Sequence, residues 1–460
     1  MLYSAALPYQ PDASVYFAAI RHLPWAAWLD SGGSGRFDIL VADPVATITT
    51  RGESTEIVGN SGNRTTQADP FAVLREELGD TLSPLPDIPF AGGALGYWSY
   101  DLARRYNRIP ELAKDAERVA EMAVGIFDWA VIVDHQQHIA RLVSRQRFAQ
   151  TLGVLPQILE HLLSAIHGES GNCKAFRVNA PVVSNLTYTQ YQKAFGSVTK
   201  YLHEGDCYQV NLAQRFAAPA EGDAYCTYLE LRKISPAPYS AFLDWPQLQI
   251  LCASPERFLH IANGKVETKP IKGTRPRDKD PEKDAMQALE LSRHPKDRAE
   301  NLMIVDLLRN DLGKSCVSGS VLTPSLFKVE SFSNVHHLVS TVTGQLKNGC
   351  DALDILRDCF PGGSITGAPK QRAMEIIEQL EPHRRGIYCG AIGYVGFDGN
   401  MDSNIAIRTL VFSNREVRCW AGGGIVADSK CESEYQETLD KASGMLEILR
   451  CFGEGLTPKI

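Results

Sequence analysis

The chain has 460 residues, enough for about three ordinary domains or one large α/β unit, and its 44% hydrophobic and 22% charged residues suit a globular protein with a large core. A net charge of −7 with no long basic run argues against nucleic acid or an anionic membrane surface as partner. No stretch approaches the roughly 20 apolar residues of a membrane helix, the N-terminus lacks a signal-peptide pattern, and eleven cysteines with no CxxC pair fit the scattered reduced thiols of a cytoplasmic enzyme.

Up to about residue 145, short apolar runs alternate with turns. Phe37–Ala42 and Val124–Val133 read as strands, and Pro70–Leu78 reads as a helix. The glycine-rich Phe90–Tyr97 lacks a full GxGxxG pattern, so it reads as a packed strand with close backbone approach. Between His167 and Thr187 the chain turns polar and reads as a linker. A helix begins near Thr189. Tyr191, Phe195, Val198 and Leu202 mark its buried face, and Gly205 stops it. From there to Leu449 strands and helices alternate without an internal repeat, and the last fifteen or so residues read as a helix end and a loose tail.

Two helical segments carry acids three residues apart, Asp297 with Glu300 and Glu434 with Glu437. Residues at that spacing share a helix face, where like charges repel unless a cation lies between them. Facing each other, the two helices would converge four carboxylates suited to a hard divalent ion such as Mg²⁺. Spacing alone favours two solvated acidic faces. Phe360–Lys370 looks like a phosphate loop, but Ala368 follows Gly367 where GxxxxGK[ST] needs lysine. Its amides, like those of Gly422-Gly423-Gly424, suit a ligand carboxylate or simply a tight turn. Lys272, in Pro270-Ile271-Lys272-Gly273-Thr274, reads by itself as a surface lysine, and His337 as a satisfied core histidine. Arg408 interrupts an apolar β-like run, where a partly buried guanidinium wants an anion.

In this order, Ser254-Pro255-Glu256-Arg257-Phe258, Pro270–Thr274, Asp297–Asp311, Pro361–Lys370, Ala421–Ser429 and Tyr435–Thr438 closely resemble the chorismate-binding enzymes. That family includes the anthranilate, aminodeoxychorismate, isochorismate and salicylate synthases. The resemblance implies an α+β fold of two packed antiparallel β-sheets flanked by helices. It also implies an N-terminal region over residues 1–165, like that of the aminating members, and a chorismate-binding catalytic region over 186–450.

Two positions separate the branches. Gln209 stands where the hydroxylating members have a lysine that activates water, and Lys272 stands where anthranilate synthases typically have alanine. Together they imply amination of chorismate at C4, towards 4-aminobenzoate and folate. Anthranilate formation for tryptophan biosynthesis and a non-catalytic chorismate- or tryptophan-binding module are the alternatives. The resemblance gives Glu256 the role of acid at the leaving 4-hydroxyl and Lys272 that of nucleophile at C2. Glu300 and Glu437 would ligate Mg²⁺ directly, Asp297 and Glu434 through water. Arg408, Tyr388 and the Gly423 and Gly424 amides would hold the enolpyruvyl carboxylate. His337, Ser364 and Lys441 would line the ring, with Thr274 and Gln209 beside them. Tyr388 is a departure, because some C4-aminating members have tryptophan there. With no glutaminase-like cysteine elbow in the chain, ammonia would come from a separate glutamine amidotransferase subunit. Ser31, Pro238 and Tyr239 lie where aminating relatives form a tryptophan pocket.

Overall fold

The computed structural model describes residues 2–59, 62–166, 176–332 and 335–453. Residues 167–175 of the polar linker and the tail beyond 453 lie outside the described residues. Two sheets, of thirteen and twelve strands, dominate, and all their strand pairs with a described register are antiparallel.

The first sheet runs from Tyr3–Leu7 through Ile139–Ser144, Ala130–Asp134, Phe37–Val41 and Ala26–Asp30. It continues through Tyr239–Trp245, Leu248–Ser254, Thr409–Ser413 and Glu416–Ile425 to Gln209–Glu221. The second begins at the edge strand Ile271–Pro276 and passes through Val335–Gln345, Arg257–Ala262, Met401–Ile405 and Ala391–Gly396 to Gly93–Trp98 and Met122–Phe127. Both sheets thus draw strands from either side of the polar linker.

The sheets face each other across a shared core. Ile39, Ile132, Leu243, Ile250 and Val411 of the first pack in one cluster with Leu95, Tyr97, Ala123 and Ile392 of the second. Helices cover the outer faces, so central strands are buried on both sides. That accounts for unbroken apolar runs such as Ala391–Gly396, in which every residue is buried. The run Val124–Val133 turns out to be two strands, Met122–Phe127 and Ala130–Asp134, in different sheets. They part at buried Asp128, whose carboxylate accepts hydrogen bonds from the backbone N–H groups of Arg147 and Phe148, both at 3.0 Å.

The helix Pro70–Leu78 has the predicted limits and is capped by Asp69. The predicted helix near Thr189 is Tyr188–Glu204, with a Thr187–Gln190 capping box and Gly205 in the left-handed conformation at its end. Its fully buried residues are Tyr191, Ala194 and Val198. Phe195 and Leu202 are only half-buried, so the inward face is rotated slightly from the expected one. The glycine-rich segment forms the strand Gly93–Trp98, and a side chain at Gly96 would lie 2.2 Å from the Ala123 carbonyl oxygen. Nine described cysteines are free thiols, whereas Cys226 is disulfide-bonded, a departure from uniformly reduced thiols.

Candidate active site

A cavity of about 490 Å³ opens where the chain twice crosses from one sheet to the other. At the first crossing, Leu248–Ser254 leaves the first sheet and Arg257–Ala262 enters the second, with Pro255 and Glu256 between them. The Ser254 hydroxyl donates to the Ile405 carbonyl at 2.6 Å and accepts from the Glu256 N–H at 3.2 Å, which locks this turn. At the second, Met401–Ile405 and Thr409–Ser413 are joined through Arg408, whose φ is 53°. Arg408 is therefore not within a strand. It occupies a left-handed kink, a conformation uncommon for a non-glycine residue. The crossings are tied together by a hydrogen bond from the Ile405 N–H to the Glu256 carbonyl at 3.0 Å.

Lys272 reaches the cavity from the edge strand Ile271–Pro276, pairing with Leu338 while Thr274 pairs with His337. The register shift between them falls at Gly273, which has φ 69°. A side chain there would lie 2.8 Å from both the Asp297 carboxyl carbon and a Leu291 methyl, so the loop needs glycine. The Lys272 ammonium donates to the Ser364 carbonyl at 3.2 Å. This lysine is half-buried and faces the cavity, unlike the surface lysine that its local sequence suggests.

Burial acts oppositely on the two central groups. It pulls the Lys272 pKa below the ordinary lysine value, assisted by Lys441 and opposed by Glu300, Glu256 and Glu437. It pushes Glu256 above the ordinary carboxyl value against a hydrogen bond from Ser364 and the charge of Lys272. Both shifts favour the neutral form. His337, bonded through Nδ1 to the Thr274 hydroxyl at 3.0 Å, is pushed down to about 4 by burial and is uncharged near neutral pH.

Tyr388 lies nearly parallel to Trp420, with ring centroids 6.0 Å apart and planes at 8°. Both rings line the cavity beside Arg408, whose guanidinium donates to the Lys441 carbonyl. Gly424 lines it as well. Buried Gln209 stands behind Gly424, where a side chain would lie 2.5 Å from Gln209 Nε2. Neither amide atom of Gln209 has a hydrogen-bond partner among the described residues.

The two acidic segments lie on the helices Pro295–Ser315 and Cys431–Cys451, which both line the cavity and are linked by the Lys296–Glu434 ion pair. Lys296 lies 3.8 Å from Glu300 and 3.6 Å from Glu434. Glu434 also accepts the Ser429 hydroxyl at 2.6 Å. Lys441 pairs with Glu437 at 2.6 Å. Burial would raise Glu437, but Lys441, then Lys296 and Lys272, hold it below the ordinary range; Glu300 is raised by burial despite Lys272 and Lys296. Asp297 turns towards Arg275 at 3.1 Å and His294 at 3.0 Å. A side chain at Gly423 would meet Glu434 at 3.0 Å and Glu437 at 3.5 Å.

The structure thus brings Glu256, Lys272, Thr274, Asp297, Glu300, His337, Ser364, Tyr388, Arg408, Gly424, Glu437 and Lys441 to one cavity. Gly423 and Glu434 stand at its acidic wall, and Gln209 lies behind it. Sequence reasoning missed Lys296, Arg275, Asn211 and Trp420, which also line it. Of these, Lys296 had a visible signal, a cation beside the acid pair.

A family model described as chorismate binding enzyme matches residues 26–447. The chain belongs to the chorismate-binding enzyme family. Aminodeoxychorismate synthase component 1 of Escherichia coli (strain K12) is 49% identical over 454 residues, 96% of each chain. Anthranilate synthase component 1 of Aquifex aeolicus (strain VF5) is 35% identical over 434 residues, 90% of this chain and 86% of that one. Among solved structures, anthranilate synthase component I from Streptococcus pneumoniae TIGR4 matches with a TM-score of 0.81 at 31% identity, covering 90% of this chain and 92% of that one. The α+β architecture of this chorismate-binding enzyme is therefore that of anthranilate synthase component I.

A second cavity, of about 440 Å³, holds Ser31, Pro238 and Tyr239 together with Arg257, His260 and Tyr394. The Ser31 hydroxyl is buried and has no hydrogen-bond partner among the described residues. No helix among the described residues is long and apolar enough to cross a membrane.

Proposed function

We propose that the chain is the chorismate-aminating subunit of an aminodeoxychorismate synthase. It makes 4-amino-4-deoxychorismate from chorismate and ammonia, for 4-aminobenzoate and folate biosynthesis. The observation that carries this reading is Lys272, which reaches the cavity that holds Glu256 and is drawn by burial towards the neutral amine. The 49% identity to aminodeoxychorismate synthase component 1 supports it independently.

An exposed lysine, with a pKa of about 10.4, is neutral in only about one molecule in 2,500 at pH 7. Desolvation raises that fraction. The neutral amine forms a bond to C2 while the ring double bonds shift and the 4-hydroxyl departs. Glu256 donates the proton that lets it leave as water, since hydroxide is a poor leaving group. Ammonia then bonds to C4 and Lys272 departs from C2, so one hard displacement becomes two easier ones. The enolpyruvyl group stays on the ring. Arg408 and Tyr388 hold its carboxylate with the Gly423 and Gly424 amides, while His337, Ser364, Thr274 and Lys441 line the ring. Gln209, an amide, cannot take a proton from water, which disfavours hydroxylation.

Mg²⁺ fits the acidic wall chemically, since Glu300, Glu437, Glu434 and Asp297 offer only oxygen donors. Among the described residues no three acidic, histidine or cysteine side chains are arranged closely enough to hold a metal. Glu434 and Glu437 do converge over Gly423, and Lys296 already draws Glu300 and Glu434 together. Glu300 and Glu437 would hold the ion directly and Asp297 and Glu434 through water. When bound, it supplies positive charge to the ring carboxylate.

Ammonia comes from a partner glutamine amidotransferase, because the chain carries no glutaminase-like cysteine elbow. The cavity around Ser31, Pro238 and Tyr239 takes tryptophan, and the unpartnered Ser31 hydroxyl supports a polar ligand there. Nine free thiols, against the single described cysteine that is disulfide-bonded, support a cytoplasmic setting. Product analysis with chorismate, Mg²⁺ and ammonium tests the proposal. Aminodeoxychorismate is expected, with no product from glutamine unless the partner is added. Anthranilate or isochorismate as main product would refute it.

A further inference from the structure

Lys296, in the first turn of the helix Pro295–Ser315, reaches to Glu434 of the other acidic helix without being one of the groups that the reaction uses. Its ammonium lies 3.6 Å from Glu434 and 3.8 Å from Glu300, close enough for attraction but beyond hydrogen-bond distance. Lys441, the other lysine at this wall, is held quite differently. It bonds Glu437 at 2.6 Å and the Gly422 carbonyl at 3.1 Å. Lys296 is 45% exposed, whereas Glu434 is 3% exposed, so the lysine has solvent to move into and the carboxylate does not.

We propose that Lys296 is a resident counter-ion of the acidic wall, displaced into solvent when a divalent cation binds. The inference rests on the Mg²⁺ reading above. Like-charged carboxylates repel one another, and the ammonium that reaches both Glu300 and Glu434 offsets that repulsion and holds the two near each other. An ammonium on a four-carbon stem is suited to that task, being a compact point charge that can swing away. A divalent ion drawn in by the same oxygens puts two like charges next to the ammonium, and the more loosely held cation leaves. The exchange takes place next to Asp297, against which Gly273 of the Lys272 loop packs.

The test uses the full chain and Mg²⁺ alone. Lysines are acetylated briefly and read by peptide mass spectrometry, with and without saturating Mg²⁺. Lys200, 72% exposed, serves as the internal reference. Labelling of Lys296 is expected to rise about threefold with Mg²⁺ as its ion pairs are broken, with Lys200 unchanged. In calorimetry, Lys296→Gln should bind Mg²⁺ about tenfold more tightly than wild type, because no resident cation has to be displaced. Unchanged or lower labelling of Lys296, in a wild type that calorimetry shows to bind Mg²⁺, would overturn the displacement. So would unchanged or weaker Mg²⁺ binding by Lys296→Gln. If neither protein binds Mg²⁺, with or without chorismate, the Mg²⁺ reading itself is wrong and the inference falls with it.

Discussion

The two cavities are close in size, about 490 and 440 Å³, yet their charged groups are arranged for different tasks. In the cavity around Ser31 the ions satisfy one another. Arg257 pairs with Asp402 at 2.9 Å, Arg36 with Asp134 at 2.8 Å, and Asp30 with Arg232 at 2.5 Å. Burial, and then the charge of Asp38, still push Asp30 up to about 6 against the charge of Arg232. In the cavity around Lys272, the lysine bonds only a carbonyl and Glu256 is held by Ser364, and burial draws both towards neutrality. Groups kept near the point of proton exchange are what acid–base and nucleophilic chemistry require. The difference lies not in size but in Lys272 and Glu256, which have no ionic partner at salt-bridge distance among the described residues, although Lys441 and Glu437 of the same cavity are paired.

Four measurements break or sharpen that contrast. The largest effect is expected at the acidic wall. Glu300→Gln and Glu437→Gln should each abolish turnover, and in wild type Mg²⁺ should tighten chorismate binding. Equal chorismate affinity by calorimetry with and without Mg²⁺ would remove the metal from the account.

Next comes the nucleophile. Lys272→Ala should lower kcat by about 10³-fold, with a much smaller change in KM. Some anthranilate-type product is expected from direct attack at C2. Intact-protein mass spectrometry of wild type with chorismate and no ammonia should show an adduct of chorismate less water, absent from the variant. A fully active variant, with no adduct in either protein, would exclude covalent catalysis.

The acid follows. Burial lowers the Lys272 pKa and raises that of Glu256, so the pH–rate profile should be bell-shaped. The rate falls at low pH as Lys272 is protonated and at high pH as Glu256 loses its proton. Glu256→Gln should cost about 100-fold in kcat and remove the alkaline limb. A profile of unchanged shape in the variant would assign the proton to another group.

The smallest effect on chemistry is expected in the second cavity. Ser31→Leu should abolish the rise in Tm that tryptophan produces in wild type, and of these substitutions it should change kcat least. Tryptophan stabilising both proteins equally would show that it does not bind beside Ser31.

Much of this was open to inspection in the chain itself. The helix Pro70–Leu78, the strand nature of the glycine-rich segment and the capped helix before Gly205 follow from local periodicity, capping and glycine sterics, which act over a few residues. The ordered motifs around Glu256, Lys272, Glu300, Ser364, Gly423 and Glu437 pointed to one family, and the family match agrees. What tertiary structure decided was every property that depends on residues far apart in the chain. Spacing alone left Lys272 a surface lysine and the acid pairs solvated faces. Burial and the approach of the two acidic helices made them walls of one cavity. Arg408 looked like a residue within a strand, and only the crossing between sheets shows it in a left-handed kink. Sequence determined which groups are present and their local conformations. Which of them lose water, and which charges meet, was set by packing between distant segments, because desolvation and Coulomb interaction depend on distance in space.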